Sequence, residues 1–246
     1  MKSNWLINYE HLLQTVCKYG GAEQASMHNL EVYSSSSSTW PNLGMHVQNF
    51  DELSSRELEK LAQPITLLLP QSKTEKELIN TLKKIYNRHG VWYEMEAERT
   101  VFSLPHNIDF SKISRVTNPH DFKRWMELVE NTLLAERNLN HQVFWNLMED
   151  EEIILVLGHH ENKAVSAAMF HPYQNTLGLY FVVTLPEYRN HGLGSLLTQY
   201  AFHLGEAMDI EYLVLQATPQ GKKVYDRFGF SVLDEVDVFY TLNTIV

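Results

Sequence analysis

The sequence predicts an α/β (α+β) fold, a mixed sheet with helices on both sides. Three observations predict it. Apolar runs of strand length alternate along the chain with amphipathic stretches of helix length. Three successive strand-like runs, residues 153–157, 164–170 and 177–183, feed a β-α-β-α-β succession. The composition, 44% hydrophobic and 20% charged, is that of an ordinary globular protein with a real core to bury.

Taken in order, residues 5–16 read as a helix. Trp5, Leu6, Tyr9, Leu12, Leu13 and Val16 recur at three- and four-residue spacing, and Gly20-Gly21 end it. The serine run from Ser34 to Ser38 has nothing to bury and reads as a surface loop. Residues 65–69, between Pro64 and Pro70, suit a buried strand. Residues 74–88 read as a helix closed by Gly90, and 91–104 as one or two strands. Residues 105–114 hold turn formers without periodicity. A boundary there divides a first half, 1–110, from a second, 111–246. Residues 119–134 and 140–148 read as helices, with Phe122, Trp125, Leu128 and Val129 forming an apolar stripe. The run 177–183 is apolar or small at every position, which predicts a strand covered on both faces. A long helix follows through Leu193, Leu197, Tyr200, Leu204 and Met208. A strand at 212–217, a short helix at 222–228 and two closing strands, 230–233 and 236–242, complete the chain.

The chain has 246 residues, enough for one large domain or two modest ones. Its net charge of −10 argues against a nucleic-acid partner, which demands a surplus of Lys and Arg on one face. Cys17 is the one cysteine, so no internal disulfide and no cysteine-based metal site can form. No run approaches the ~18 apolar residues of a membrane span, and residues 1–10 lack the pattern of a signal peptide. The expectation is a cytoplasmic protein, monomer or homodimer, without metal, membrane or nucleic acid. One internal match stands out. Lys83-Lys84-Ile85-Tyr86-Asn87-Arg88-His89-Gly90-Val91 resembles Lys222-Lys223-Val224-Tyr225-Asp226-Arg227-Phe228-Gly229-Phe230. Each copy lies between two expected strands, near the end of its half, and reads as an old duplication.

The chemistry is concentrated where the strand 177–183 passes through a turn into the long helix. The first turn of a helix has unpaired N–H groups and the positive end of the dipole. Gly192 and Gly194 let an anion approach those amides, and Arg189 adds a positive charge. Together with Asn190, His191, Leu193 and Ser195 they form a cradle suited to a pyrophosphate. No Gly-Lys-Ser/Thr ending makes this a nucleotide-triphosphatase loop, and the glycine spacing does not fit a dinucleotide fold.

Arg189-x-x-Gly192-x-Gly194 resembles the acyl-CoA signature of the GNAT superfamily of N-acetyltransferases. The stretch Val224-Tyr225-Asp226-Arg227-Phe228-Gly229-Phe230 resembles its second hallmark, a tyrosine followed by a Gly-Phe pair. The resemblance covers about residues 111–246. It implies a mixed, mostly antiparallel central sheet flanked by helices. It implies acetyl-CoA as cosubstrate, with the pantetheine arm held by backbone groups of Phe181, Val182 and Val183, the pyrophosphate at the glycine turn, and Tyr225 beside the thioester sulfur. The family often has asparagine and alanine where this chain has Thr218 and Gly221; Thr218 still offers a hydroxyl to the pantetheine. Residues 215–221 resemble a subgroup with two tandem halves, the first degenerate and without a cofactor site.

The resemblance implies transfer of an acetyl group to a primary amine of a small molecule or peptide by direct attack. The alternative is a non-catalytic acyl-CoA-binding or sensor module. A lysine-like amine with a pKa of about 10.4 must lose a proton first, at a cost of roughly 4–5 kcal/mol at neutral pH. With a thiol near 8.5 and a tyrosine near 10, full proton donation by Tyr225 is uphill by about 2 kcal/mol. Tyr225 is therefore expected to stabilise the leaving thiolate by hydrogen bonding. Glu187 reads as an exposed turn residue or a base. His159, His160 and His191 read as polar loop residues, residues 149–152 as a solvated acidic turn, and Trp40, Trp92, Trp125 and Trp145 as core or groove wall.

Overall fold

The computed structural model describes residues 2–27, 30–38, 40–46, 65–86, 88–105, 107–134 and 138–240. The chain opens on helix α1 (Asn4–Lys18), whose first turn is capped by Ser3 accepting from the Leu6 amide. Gly20, at φ 77°, ends it. Strands β1 (Glu23–Met27), β2 (Leu30–Ser34), β3 (Leu43–His46) and β4 (Thr66–Pro70) follow, then helix α2 (Lys76–Ile85) and the long strand β5 (Arg88–Glu98). The second half begins with the short strand β6 (Ile113–Arg115) and helices α3 (Pro119–Thr132) and α4 (His141–Glu149). Each of these two helices is started by an asparagine, Asn118 or Asn140, that accepts from the helix. Then come β7 (Ile154–His160), β8 (Lys163–Tyr173), β9 (Thr176–Thr184), α5 (Leu193–Ala207), β10 (Tyr212–Ala217), α6 (Pro219–Tyr225) and β11 (Ser231–Tyr240).

The eleven strands of the described residues form one sheet in the order β1-β2-β3-β4-β11-β5-β10-β9-β8-β7-β6. Most pairs are antiparallel; β3–β4 and β9–β10 are parallel. The expected mixed, mostly antiparallel sheet with helices on both faces is therefore the fold. Strand alternation divides its core. Val214 and Val236 pack with Trp5, Leu12, Phe122 and Phe144 under α1, α3 and α4. On the other face Leu213 and Leu215 pack under α5 and α6 with Leu197, Phe202 and Tyr225, and Leu67, Leu69 and Phe239 pack under α2. No helix of the described residues is long and apolar enough to cross a membrane.

The order has an internal regularity. From the outer edge of the first half inward run β1, β2, β3 and β4, paired antiparallel, antiparallel and parallel. From the second half inward run β7, β8, β9 and β10 with the same sequence of directions. Each half then continues strand–helix–strand, and the final strands are exchanged. β11 lies between β4 and β5, and β5 lies between β11 and β10. Exchanging β1 with β7, β2 with β8, β3 with β9, β4 with β10 and β5 with β11 reproduces the order read backwards apart from β6, the pattern of a two-fold axis normal to the sheet.

Several expectations need correction. The two closing strands are one, β11, irregular between Val232 and Asp234, where its register against β5 shifts. The helix read as 74–88 stops at Ile85, and Gly90 lies inside β5 opposite Val238 rather than closing a helix. Its supposed counterpart Gly229 is left-handed at φ 78°. The nine-residue match therefore does not place its glycines alike; the strand order carries the regularity instead. The serine run is partly packed: Ser38 is buried and donates to the Trp40 carbonyl at 2.8 Å. His159 and His160 end β7 rather than lying in a loop, and His159 pairs with Ser114 at 2.8 Å. In the acidic turn after α4, Asp150 accepts from Tyr19.

A buried polar cluster locks α1 onto the second half. Asn8, fully buried, donates to the His171 carbonyl at 3.1 Å and to Thr176 Oγ1 at 2.8 Å, and accepts from Tyr180 at 2.7 Å. Gly178 leaves the room: a Cβ there would stand 2.2 Å from Asn8 Oδ1 and 2.4 Å from the Tyr180 ring. Gly178→Ala is therefore expected to cost about 2 kcal/mol or more through overpacking and loss of these bonds. Gly221→Ala, whose Cβ would meet neighbours at 3.5 Å or beyond, is expected to cost little. Urea denaturation of the two variants checks the contrast, and equal midpoints would refute it.

Candidate active site

The site begins with an interruption in the sheet. β9 and β10 pair in parallel from Thr176↔Tyr212 to Leu179↔Leu215, and there the pairing stops. β10 stays bound to β5 through Gln216 and Ala217. β9 turns away because Phe181 adopts φ 50° and the register against β8 slips between Ala167 and Met169. Backbone groups of Phe181 and Val182 are freed toward the gap. A cavity of about 310 Å³ occupies it.

Phe181 and Val182 line one side of this cavity, Gln216, Ala217 and Thr218 the other, and Gly221 and Tyr225 of α6 reach in from below the sheet. Thr218 caps α6, its Oγ1 accepting from the Gly221 amide at 3.2 Å, which leaves its hydroxyl proton free to donate. Burial pushes the Tyr225 hydroxyl well above its ordinary pKa, so it stays protonated across the physiological range. Val183 is placed differently from its two neighbours. It is buried in the β8–β9 ladder and its carbonyl accepts from Ser166 at 2.5 Å.

The glycine turn lies just past the end of β9. Gly192, at φ 80°, is the first cap of α5 and has no side chain to bond the helix amides. Asn190 is also left-handed, at φ 64°. A Cβ on Gly192 or Gly194 would meet nothing within 4 Å. The protein's own packing thus gives no reason for Gly194 to be small; the space before the first-turn amides of Leu193, Gly194 and Ser195 is open. Arg189 donates to the Thr184 carbonyl at 3.3 Å and is exposed beside the turn, and His191 Nδ1 donates to the Arg189 carbonyl at 2.9 Å. His160 packs against His191 at 4.8 Å, and Lys163 lies 5.4 Å over the Tyr188 ring. These basic groups come from the β7–β8 hairpin, and only the fold brings them to the turn. The exposed Glu187 stands two residues before Arg189 and does not line the cavity.

Residues 120–230 match the profile of the acetyltransferase (GNAT) family. The chain carries a GNAT-superfamily domain. Nearly the whole chain shares its fold with solved structures. A GCN5-related N-acetyltransferase from Kribbella flavida is 15% identical, with a TM-score of 0.65 over 98% of this chain and 96% of its own. A GCN5-related N-acetyltransferase-like protein from Streptococcus suis is 14% identical, with a TM-score of 0.62 over 94% and 92%. A conserved protein of unknown function from Staphylococcus epidermidis is 10% identical, with a TM-score of 0.63 over 91% and 95%. At such identities the likeness is one of fold. Among curated proteins none matches the chain.

Most of the cavity wall was not read from the sequence as a site. Trp5 and Tyr9 of α1, Leu68 of β4 and Tyr240 of β11 all line it, with Trp40 and with Trp92 of β5. Trp40 and Trp92 are groove wall, as one of the two expected roles had it, while Trp125 is fully buried core with its Nε1 donating to the Ala168 carbonyl at 3.0 Å. Behind this wall stands Glu94. It lies two residues from Trp92 on the same face of β5, opposite Gln216 in register. It is buried, and Ser3 Oγ donates to it at 3.2 Å. Burial first, then the charge of Asp234, raises its pKa to about 7; the Ser3 bond opposes the shift.

That shift has a consequence for stability. Between the ordinary carboxyl value of 4.5 and about 7 the folded state binds more protons at Glu94 than the unfolded chain does. Its contribution is thus present at low pH and lost as pH rises through this window, by about 2–3 kcal/mol. Glu94→Gln keeps an acceptor for Ser3 and removes the titration. The variant's stability relative to the unchanged protein is expected to grow from about pH 4.5 to 7 and then level. Denaturation measured across that range checks it; a difference independent of pH would return Glu94 to an ordinary value.

Proposed function

We propose that the protein transfers an acetyl group from acetyl-CoA to a primary amine. One observation carries this reading: the gap between β9 and β10 holds a cavity that Tyr225 lines, and β9 leads from that gap to the open glycine turn at the start of α5. Phe181, Val182 and Val183 supply the strand along which the pantetheine arm lies, with Thr218 and Gly221 opposite. The turn from Arg189 to Ser195 holds the pyrophosphate on the α5 amides. The amine nitrogen attacks the thioester carbonyl, the C–S bond breaks, and the acetyl group leaves sulfur for nitrogen. The thiolate departs with a proton that the nitrogen has shed, so an amine and acetyl-CoA give an amide and free CoA. A tyrosine held protonated by burial is a hydrogen-bond donor to the thiolate rather than an acid that gives up its proton.

We further assign residues 1–110 to a degenerate copy of residues 111–246 that binds no CoA itself. The matching succession of strand directions and the exchanged final strands support it. Its role is to wall the acceptor side of the cavity. The location we assign is cytoplasmic. The alternative, a non-catalytic acyl-CoA sensor, draws support from the described cavity lining, which holds neither carboxylate nor imidazole.

Two variants test the proposal. Gly194→Glu places a carboxylate at a helix start, where the dipole favours it, and in open space. The fold should be as stable as before, while acetyl-CoA affinity measured by calorimetry falls by a hundredfold or more, on the order of 3 kcal/mol. Equal affinity in both proteins would refute the cradle. Gly192 is the poorer position for this test, since any side chain there is strained at φ 80°. Tyr225→Phe is expected to lower turnover about tenfold to a hundredfold with acetyl-CoA affinity unchanged, because its bond is made to the departing sulfur. A fall in affinity matched by no loss of turnover would make Tyr225 a binding residue only.

A further inference from the structure

We infer that the acceptor is a neutral aromatic amine that carries a hydrogen-bond-accepting oxygen, and that the first half selects it. This rests on the transfer reading above and narrows its substrate. Three features of the cavity carry it.

The first is charge. Among the described residues that line the cavity, none is Asp, Glu, Lys, Arg or His. An ammonium entering such a site would lose its water and meet no counter-charge. A carboxylate would fare no better. Polyamines and free amino acids are therefore poor fits. An arylamine, whose nitrogen is uncharged at neutral pH, enters without this cost. It also needs no base in the cavity before it attacks. Its nitrogen sheds one proton as the C–N bond forms, and the departing sulfur takes that proton.

The second is shape and surface. Trp5 and Tyr9 stack at 5.1 Å, Trp40 meets Phe181 edge-on at 5.1 Å, and Trp92 meets Tyr240 at 6.1 Å. Flat rings are held well by such offset and edge contacts. The volume of about 310 Å³ stands at the small end of ligand pockets. Apolar surface predominates in the lining, so a polyol such as a sugar would leave many of its hydroxyls unpaired.

The third is an unanswered donor. Trp5 is 2% exposed and its indole N–H has no partner among the described residues. Gln216 Nε2, at the same cavity, is likewise buried without a partner. A buried donor left unpaired is costly, and a ligand that answers it gains that energy back. An ether, hydroxyl or carbonyl oxygen on the ring is the group that does so.

The experiment uses the full chain with four probes: 4-methoxyaniline, aniline, spermidine and lysine. Tryptophan-fluorescence titration reports binding without acetyl-CoA, and CoA release reports transfer with it. The expected result is that 4-methoxyaniline binds tightest and is acetylated, aniline follows, and spermidine and lysine do neither. Trp5→Phe keeps a ring and removes the N–H. It should weaken 4-methoxyaniline about fivefold and leave aniline unchanged. Thr66→Asp introduces a carboxylate at the cavity wall without touching the tryptophans. It should weaken 4-methoxyaniline and give spermidine measurable affinity, which keeps the test open if Trp5→Phe fails to fold. Acetylation of spermidine or lysine in preference to the arylamines would overturn the acceptor class and leave the transfer reading intact. Equal loss of both arylamines in Trp5→Phe would overturn the role of the indole N–H. Failure of acetyl-CoA to bind would remove the transfer reading, while the fluorescence titration would still report on the cavity.

Discussion

Strand β5 is hydrogen-bonded along both edges by strands of the other half. On one side it pairs with β11 over nearly its whole length, and on the other with β10 from Tyr212 to Ala217. No cut through the chain separates the halves without breaking one of these ladders. The exchange therefore fixes what lies on either side. β10 cannot follow β9 away from the sheet, because its far end is held by β5. The strain of separation falls on β9, and the left-handed Phe181 is where it is absorbed. The gap that forms the cavity is thus a consequence of the exchange together with one bulge.

The same exchange decides which side chains face the gap. Trp92 of β5 and Tyr240 of β11 reach it because their strands sit beside β10 and β4. α1 is laid across the sheet by the Asn8 cluster, and so Trp5 and Tyr9 close the wall. Among the described residues the lining is largely apolar and carries no charged side chain, with the carboxyl of Glu94, of raised pKa, behind it. In such a chamber every polar contact is strengthened and every unpaired charge is penalised. The substrate's protonation state then matters as much as its shape.

The second half was legible because its signals are local. Strand β10 and helix α5 follow the apolar pattern to within a residue or two, and the glycine turn is read from six consecutive positions. Strand β11 was split in two at Asp234-Glu235, whereas both residues pair with β5 and the bulge falls at Leu233 in a continuous strand. Strands β1 to β3 went unread. Glu23-Gln24-Ala25-Ser26-Met27 is a polar edge strand without an apolar face, and β3 contains a glycine. Of the aromatic wall, only a choice between core and groove wall for Trp40 and Trp92 could be read. Residues 5, 40, 92 and 240 share no spacing, and only the exchanged strands and the buried Asn8 bring them together. Glu94 was equally silent, since its character comes from burial and from Asp234 across the sheet.

If the halves are copies, the pairing pattern tells which function was lost and how. The connection between β3 and β4 corresponds to the one between β9 and β10 that holds the glycine turn and α5. Residues 47–65 contain no glycine, and no Arg-x-x-Gly-x-Gly precedes residue 111. The glycines that leave the first-turn amides of α5 open in the second half thus have no counterpart in that stretch of sequence. The parallel β3–β4 pair nevertheless survives, because the sheet needs it to seat β11. Selection for a continuous sheet preserves the strands of such a half while freeing its loops and its inner face. Trp40, Asn42, Leu43 and Thr66 lie at that face and line the cavity of the other half. On the proposal that the first half is such a copy, the task left to it is to shape the acceptor's side of the other half's site.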